Sequence, residues 1–414
     1  MNDNNYDVGI VGFWYGLNYG SILTYYALYK AVEERGKKPI LVNKPLTLWD
    51  YKFYDKKSLA NRFFAGKCKT SRIRKDEADW RELNKFCKMF LVGSDVVWKS
   101  TLPKRCGYHF FLDFVAGNKK KIAYAPSFGG EWEADEIITN TARYYLDKFD
   151  YISCRENEGV KICEDIFHVS CTQVVDPVFL IDYNNYHQLA DSSKIMLPEK
   201  YIVSYVLGPG SSKRQMLLSF KSMIDNSEET QLINIVNAGN EERGAQLLKL
   251  DTVQNLNVED WLCYIKNCSI YIGDSFHGIC FSIIFKKNFI LIRNRISPSR
   301  CRFDTLLSIC DLENRSIYAD EDITERKDLL EPIDYEKVYE KLGQYIERSK
   351  DYLTEALLSE HKTGGYNEQD VLIDIINELK KENCSINAKV ENLEQQIKDI
   401  LVRLETSYEK SILN

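Results

Sequence analysis

Residues 6–43 read YDVGIVGFWYGLNYGSILTYYALYKAVEERGKKPILVN, and this stretch decides the fold. The run 6–14, YDVGIVGFW, is short, apolar and rich in strand-forming residues, and it gives way to glycine. Residues 21–36, SILTYYALYKAVEERG, place apolar side chains at helical spacing and stop at Gly36. A second strand, KPILVN at 38–43, follows at once. Strand, helix, strand in so few residues is the signature of a parallel sheet.

The same alternation continues outward. FLVGSDVVW (90–98), KIAYAPSFG (121–129), a helical stretch over 134–148, YISCRE (151–156) and TQVVDPVFL (172–180) extend the first α/β domain to residue 190. After the polar segment DSSKIMLPEK (191–200) the pattern restarts with YIVSYVLG (201–208), a helix from Lys213, QLINIVN (231–237), SIYIGDSFHG (269–278) and NFILIRN (288–294). The expected fold class is therefore α/β, with two Rossmann-like domains, 1–190 and 191–345, facing a central cleft. Ligands of such sheets sit at the carboxyl ends of the strands.

The tail departs from this pattern. After a helical linker over 346–370, apolar residues step by fours and threes through Leu372, Ile376, Leu379, Ile386, Val390, Leu393, Ile397, Ile400 and Leu404, with Asn383 at one seam position. A C-terminal α-helical coiled coil over 371–406, on the order of 50 Å long at the usual helical rise, is expected. β-branched residues and one asparagine at the a positions favour a parallel homodimer over the other reading, an amphipathic helix folded back on its own domain.

Composition narrows the function. The 414 residues are 44% hydrophobic, and 55 basic against 61 acidic side chains give a formal charge of −6. That balance points away from nucleic acid and from a polybasic membrane anchor. The first apolar run is too short to export or span, so no transmembrane segment is expected, and a cytoplasmic location, free or peripheral to the inner face of the membrane, follows. Twelve cysteines are scattered without a Cys-x-x-Cys pair. Cys154, Cys163 and Cys171 are spaced irregularly for a zinc set, so the cysteines read as reduced, packed thiols and no metal is expected.

Polar residues recur where apolar runs end. Asn18, Tyr19, Gly20 and Ser21 open the first helix, where glycine lets a ligand approach and free amides attract anions or hydroxyls. N-capping by Asn18 or Ser21 would use the same residues. Neither a dinucleotide fingerprint nor a P-loop is present. Ser94 and Asp95 precede Trp98, a carboxylate and an indole that suit the hydroxyls and apolar face of a sugar; a helix cap beside a buried indole is the other reading. Ser127 closes the third run. Arg155 and Glu156 follow the fourth, an arginine placed to fork onto a phosphate or carboxylate, or a surface ion pair. In 273–286, GDSFHGICFSIIFK, Asp274, Ser275 and His277 interrupt an apolar stretch, and Asp274 could hold the imidazole in one tautomer. Arg293, Arg295, Arg300 and Arg302 crowd one loop, as an anion site or a solvated turn would.

Taken in order, GxxNYGS, GSDxxW, AxSFG, SxRExxG, VxDPxxL and DSFHG resemble the polysaccharide pyruvyl transferase family over residues 6–315. The resemblance implies a GT-B-like pair of lobes and transfer of the enolpyruvyl group of phosphoenolpyruvate, a co-substrate, onto two hydroxyls of a sugar. The acceptor would be a cell-surface polysaccharide or its lipid-linked precursor, and no cofactor is implied. It further implies that His277 moves the proton with help from Asp95 or Asp274, and that Arg155, Ser275, Arg295 and Arg302 form the donor site. Asn18, Tyr19, Gly20, Ser94, Trp98 and Ser127 are left for the acceptor. Other branches of the family carry Arg-Leu-His where this chain has Ser275-Phe276-His277, so the missing charge falls to Arg293, Arg295 or Arg302. Two further readings fit the two-lobed outline: a nucleotide-sugar glycosyltransferase, and a non-catalytic homologue that scaffolds glycan assembly.

Overall fold

The computed structural model describes residues 5–43, 58–72, 77–224, 229–295 and 300–361, with Val390 and Leu393 from the tail. Residues 1–362 form one compact unit. The expected coiled coil lies outside the described residues, except that Val390 and Leu393 are helical and exposed.

The first lobe is built on six parallel strands, β1 (Tyr6–Val11), β2 (Pro39–Leu41), β3 (Cys87–Val92), β4 (Lys120–Ala123), β5 (Tyr151–Cys154) and β6 (Thr172–Gln173), in the order β2-β1-β3-β4-β5-β6. The second has five, β7 (Tyr201–Tyr205), β8 (Gln231–Ile235), β9 (Ile270–Gly273), β10 (Asn288–Arg293) and β11 (Ser316–Tyr318), ordered β11-β10-β9-β7-β8 and also parallel. Helices cover parallel sheets on both faces, which is why the central strands read as unbroken apolar runs. Ile10, for example, lies between Leu41 and Leu91, and all three are fully buried.

Strand order fixes where ligands can go. In each sheet the chain leaves the first strand, adds the second on one side, then crosses to add the third on the other. The crevice opens at that reversal, beyond the carboxyl ends of β1 and β3 in one lobe and of β7 and β9 in the other. Ser94 and Asp95 follow β3, while Asp274, Ser275 and His277 follow β9. The polar residues that interrupt the apolar runs thus stand at the two switch points.

An apolar seam joins the lobes. Tyr19, at the start of the helix Tyr19–Glu34, stacks on Trp261 at 5.7 Å and meets Tyr205 edge-on at 5.9 Å. The helix Tyr335–Leu358 then ties the two together. Its first turns bond the second lobe, Tyr339 donating to the Ile283 carbonyl at 3.0 Å. Its later turns bond the first, where the Ser349 hydroxyl accepts from the Val175 amide at 2.9 Å and Arg35 donates to Thr354 at 2.8 Å. The helix passes unbroken across residue 345, where the sequence reading ends the second domain. Among the described residues no helix is long and apolar enough to cross a membrane.

Candidate active site

Asp176 is the hub. It follows β6, caps the short turn Pro177–Phe179 by accepting from the Val178 amide at 3.1 Å, and is almost completely buried. Arg155, just past β5, donates to one of its oxygens at 2.8 Å, and the Ser94 hydroxyl donates to the same oxygen at 3.2 Å. From the second lobe, His277 Nε2 comes within 3.5 Å of that carboxylate and 2.8 Å of the Thr24 hydroxyl. Thr24 itself donates to Asp176 at 3.4 Å. A single carboxylate therefore joins three first-lobe side chains to the imidazole of the other lobe.

The electrostatics follow from burial and pairing. Burial alone would push the Asp176 carboxyl up, but the His277 hydrogen bond and the Arg155 charge hold it far below the usual carboxylate range. Burial works against the Arg155 charge, yet Asp176, Glu156 and Asp95 together keep it firmly protonated. Burial pushes the Glu156 carboxyl up despite the neighbouring arginines. For Asp95, burial is outweighed by the charges of His277, Arg155 and Arg302, which lower its carboxyl. Asp95 also sits at φ 74°, a left-handed conformation that costs a non-glycine residue energy and is concentrated at functional sites.

Within this cluster two guanidinium groups have unused donors. Arg155 Nε and Nη2 and Arg302 Nε are buried without a hydrogen-bond acceptor. The nearest carboxylates of Asp95 and Glu156 stand 3.9 and 3.6 Å from Arg155, too far to bond. Both groups lie against the Phe276 ring, at 4.5 Å for Arg155 and 5.7 Å for Arg302. Burial and the Arg155 charge hold the Arg302 guanidinium below its usual value. Buried donors without partners cost about 1–3 kcal/mol each, more for charged groups. An anion carrying several oxygens would remove that cost.

The expected site residues divide. Asp95, Arg155, His277 and Arg302 come together, and Ser94 reaches them through Asp176. Ser275 caps the helix Phe276–Ile284, accepting from the Gly278 amide at 3.3 Å, and so aims His277. Asp274 has no hydrogen bond to the imidazole. Its oxygens accept from Lys213 at 2.5 Å and from the Leu207 and Gly208 amides at 2.6 and 3.1 Å, so Asp176 and Thr24 orient His277 in its place. Arg295 stands apart in an exposed pair with Asp320, and Arg293 is paired with Asp304. Asn18 caps the first helix by accepting from Ser21, and Tyr19 is buried in the seam. The Ser127 hydroxyl is buried and accepts from the Gly129 amide.

Trp98 is not a sugar platform. Its indole is fully buried, stacks on Phe111 at 5.7 Å, and donates to the Phe110 carbonyl at 2.9 Å. Trp98→Ala is accordingly expected to cost about 3–5 kcal/mol of stability in equilibrium denaturation while leaving acceptor KM unchanged. Gly20 has a different role. A Cβ at that position would stand 2.3 Å from Cβ and Cγ of His277, so only glycine lets the first helix meet the imidazole. Gly20→Ala is expected to displace the ring, lower kcat on the order of 100-fold, and destabilise the chain by about 1–3 kcal/mol. Steady-state kinetics and thermal unfolding would register both.

Two parallel switch-point sheets with a catalytic-type cluster between them define a two-lobed α/β protein of the GT-B class. A glycosyltransferase from Rickettsia africae ESF-5 superposes with a TM-score of 0.52 at 10% identity, over 86% of this chain and all of its own. A UDP-N-acetylglucosamine 2-epimerase gives 0.52 at 11% identity, over 86% of this chain and 95% of its own. These likenesses concern the fold. The polysaccharide pyruvyl transferase family model matches residues 18–295, more than half of the 414, and the chain belongs to that family. No curated protein matches it.

Proposed function

We propose that the protein transfers the enolpyruvyl group of phosphoenolpyruvate to a sugar of a cell-surface polysaccharide or its precursor, forming a cyclic pyruvate ketal and releasing phosphate. Family membership supports the reaction class. The observation that carries the reading is the set of unpartnered, buried guanidinium donors of Arg155 and Arg302 beside His277. Phosphoenolpyruvate concentrates a phosphate and a carboxylate on three carbons, and forked guanidinium groups match both.

In this scheme His277 delivers a proton to the methylene carbon, leaving positive character on the carbon that bears the phosphate ester. A sugar hydroxyl adds there and loses its proton. Departure of phosphate regenerates the cationic carbon, a second hydroxyl closes the ring, and its proton is lost. The ionised Asp176 at 3.5 Å complements the charge that the ring carries once protonated. Arg155 and Arg302 neutralise the leaving phosphate. Asp95, held ionised, is the candidate base for the hydroxyl.

The test is to incubate the full chain with phosphoenolpyruvate and a panel of free and lipid-linked glycans. One phosphate released per ketal, with a matching gain in glycan mass, is the expected result. His277→Ala is expected to abolish that release while retaining donor binding. Consumption of a nucleotide sugar with no reaction of phosphoenolpyruvate would assign the cleft to glycosyl transfer.

A further inference from the structure

Cys154, Cys163 and Cys171 lie eight or nine positions apart in the chain, a spacing that does not announce a metal site. The fold brings them together. Their three sulfur atoms all lie within 4.8 Å of one another, with Cys154 Sγ and Cys163 Sγ 3.8 Å apart. A zinc–thiolate bond of about 2.3 Å puts sulfurs of a tetrahedral site about 3.8 Å apart. Cys154 ends β5, Cys171 immediately precedes β6, and Cys163 lies in a π-helical turn, Ile162–Ile166, that widens the connecting helix. Such turns are rare and gather at functional sites.

We propose that these three cysteines form a binding site for a thiophilic divalent cation, zinc by its preference for tetrahedral thiolate ligands. Three converging sulfurs favour a cation over a disulfide, which would use two and leave the third without a partner. Cys154 and Cys163 are buried and Cys171 is partly exposed, so the cluster opens to solvent on the Cys171 side. A water entering from that side would complete the fourth position.

The position gives the site a consequence. Cys154 is followed directly by Arg155 and Glu156, and Cys171 lies five residues before Asp176. A cation held by all three sulfurs would staple the β5–helix–β6 crossover that carries the ion-paired half of the cleft. It would act on the scaffold of the site, away from the reacting atoms.

The test uses the full chain, reduced, stripped with chelator, and titrated with Co²⁺ and then Zn²⁺ in the absence of oxygen. One equivalent of Co²⁺ with thiolate charge-transfer absorption, displaced by Zn²⁺ and accompanied by a higher Tm, is the expected result. Cys163→Ser and Cys171→Ser should each weaken binding at least about tenfold, since losing a ligand costs no less than losing an outer partner. Cys106→Ser should leave it unchanged. Should Cys163→Ser fail to fold, Cys171→Ser carries the comparison, because that side chain is partly exposed. Absence of a stoichiometric thiolate band, equal affinity in Cys171→Ser, or a Cys154–Cys163 disulfide in place of metal uptake would overturn the proposal.

Discussion

Asp176→Asn is expected to lower kcat by on the order of 10²–10⁴, because it removes the charge that faces the proton-carrying imidazole while keeping the side-chain shape. Stability should fall with it. The carboxylate is the closest partner of the buried Arg155 guanidinium, at 2.8 Å, and breaking a buried pair on one side typically costs about 3–5 kcal/mol. The sign of the pH dependence is fixed by the depressed Asp176 carboxyl. A carboxylate stabilised in the folded state contributes fully above its unfolded value, about 3.9, and loses that contribution as the pH falls toward the folded value. The wild-type advantage over the variant should therefore be complete at neutral pH and shrink below about pH 4. Urea denaturation across that range, together with steady-state kinetics, measures both effects. An equal advantage at all pH values would mean that the charge is not what matters.

Arg302→Ala should behave in the opposite way with respect to stability. Its guanidinium is surrounded by burial and by the Arg155 charge, both of which oppose ionisation, and its buried Nε has no acceptor. Removing a charge-assisted contact of about 1.5–3 kcal/mol would weaken phosphoenolpyruvate binding about 10- to 150-fold. Tm should stay level or rise, since the variant no longer buries a charge beside a like charge. Arg302→Lys keeps the charge but loses the fork, so its donor affinity should fall between the two. A drop in Tm with unaltered donor affinity would make Arg302 a structural residue.

The fold was readable because both sheets are parallel and covered on both faces. Runs such as FLV before Gly93 and IYI before Gly273 carry no polar face, and the helices between them supply the alternation. Part of the site was readable for the same reason: Asp95, Arg155 and His277 are polar residues placed where apolar strands end. Asp176 enters the sequence pattern only as the aspartate of VxDPxxL, with no role of its own. It lies within VVDPVFL, where one carboxylate before a proline reads as a turn, and its partners come from the first helix, from the segments just past β3 and β5, and from the other lobe. Thr24 offered no signal, because the face of the first helix that it occupies is buried throughout.

Adjacency in sequence misled at three positions. Asp274 is three residues from His277, yet the turn from strand to helix delivers its carboxylate to the amides beyond β7. Arg295 and Arg302 are seven residues apart in one basic stretch. The helix Arg300–Cys310 carries Arg302 to the Phe276 ring, while Arg295 remains at the surface with Asp320. Trp98 follows Asp95 by three residues but points into the core formed with Phe111 and Phe128. In each case the backbone direction after a strand end decides the outcome, and that direction is a tertiary property.

A crystal structure of the protein with phosphoenolpyruvate bound tests the proposed donor site most directly. The phosphate and carboxylate oxygens are expected within hydrogen-bonding distance of Arg155 and Arg302, with the methylene carbon turned toward His277. Density for the compound elsewhere, with both guanidinium groups still unbonded, would contradict it.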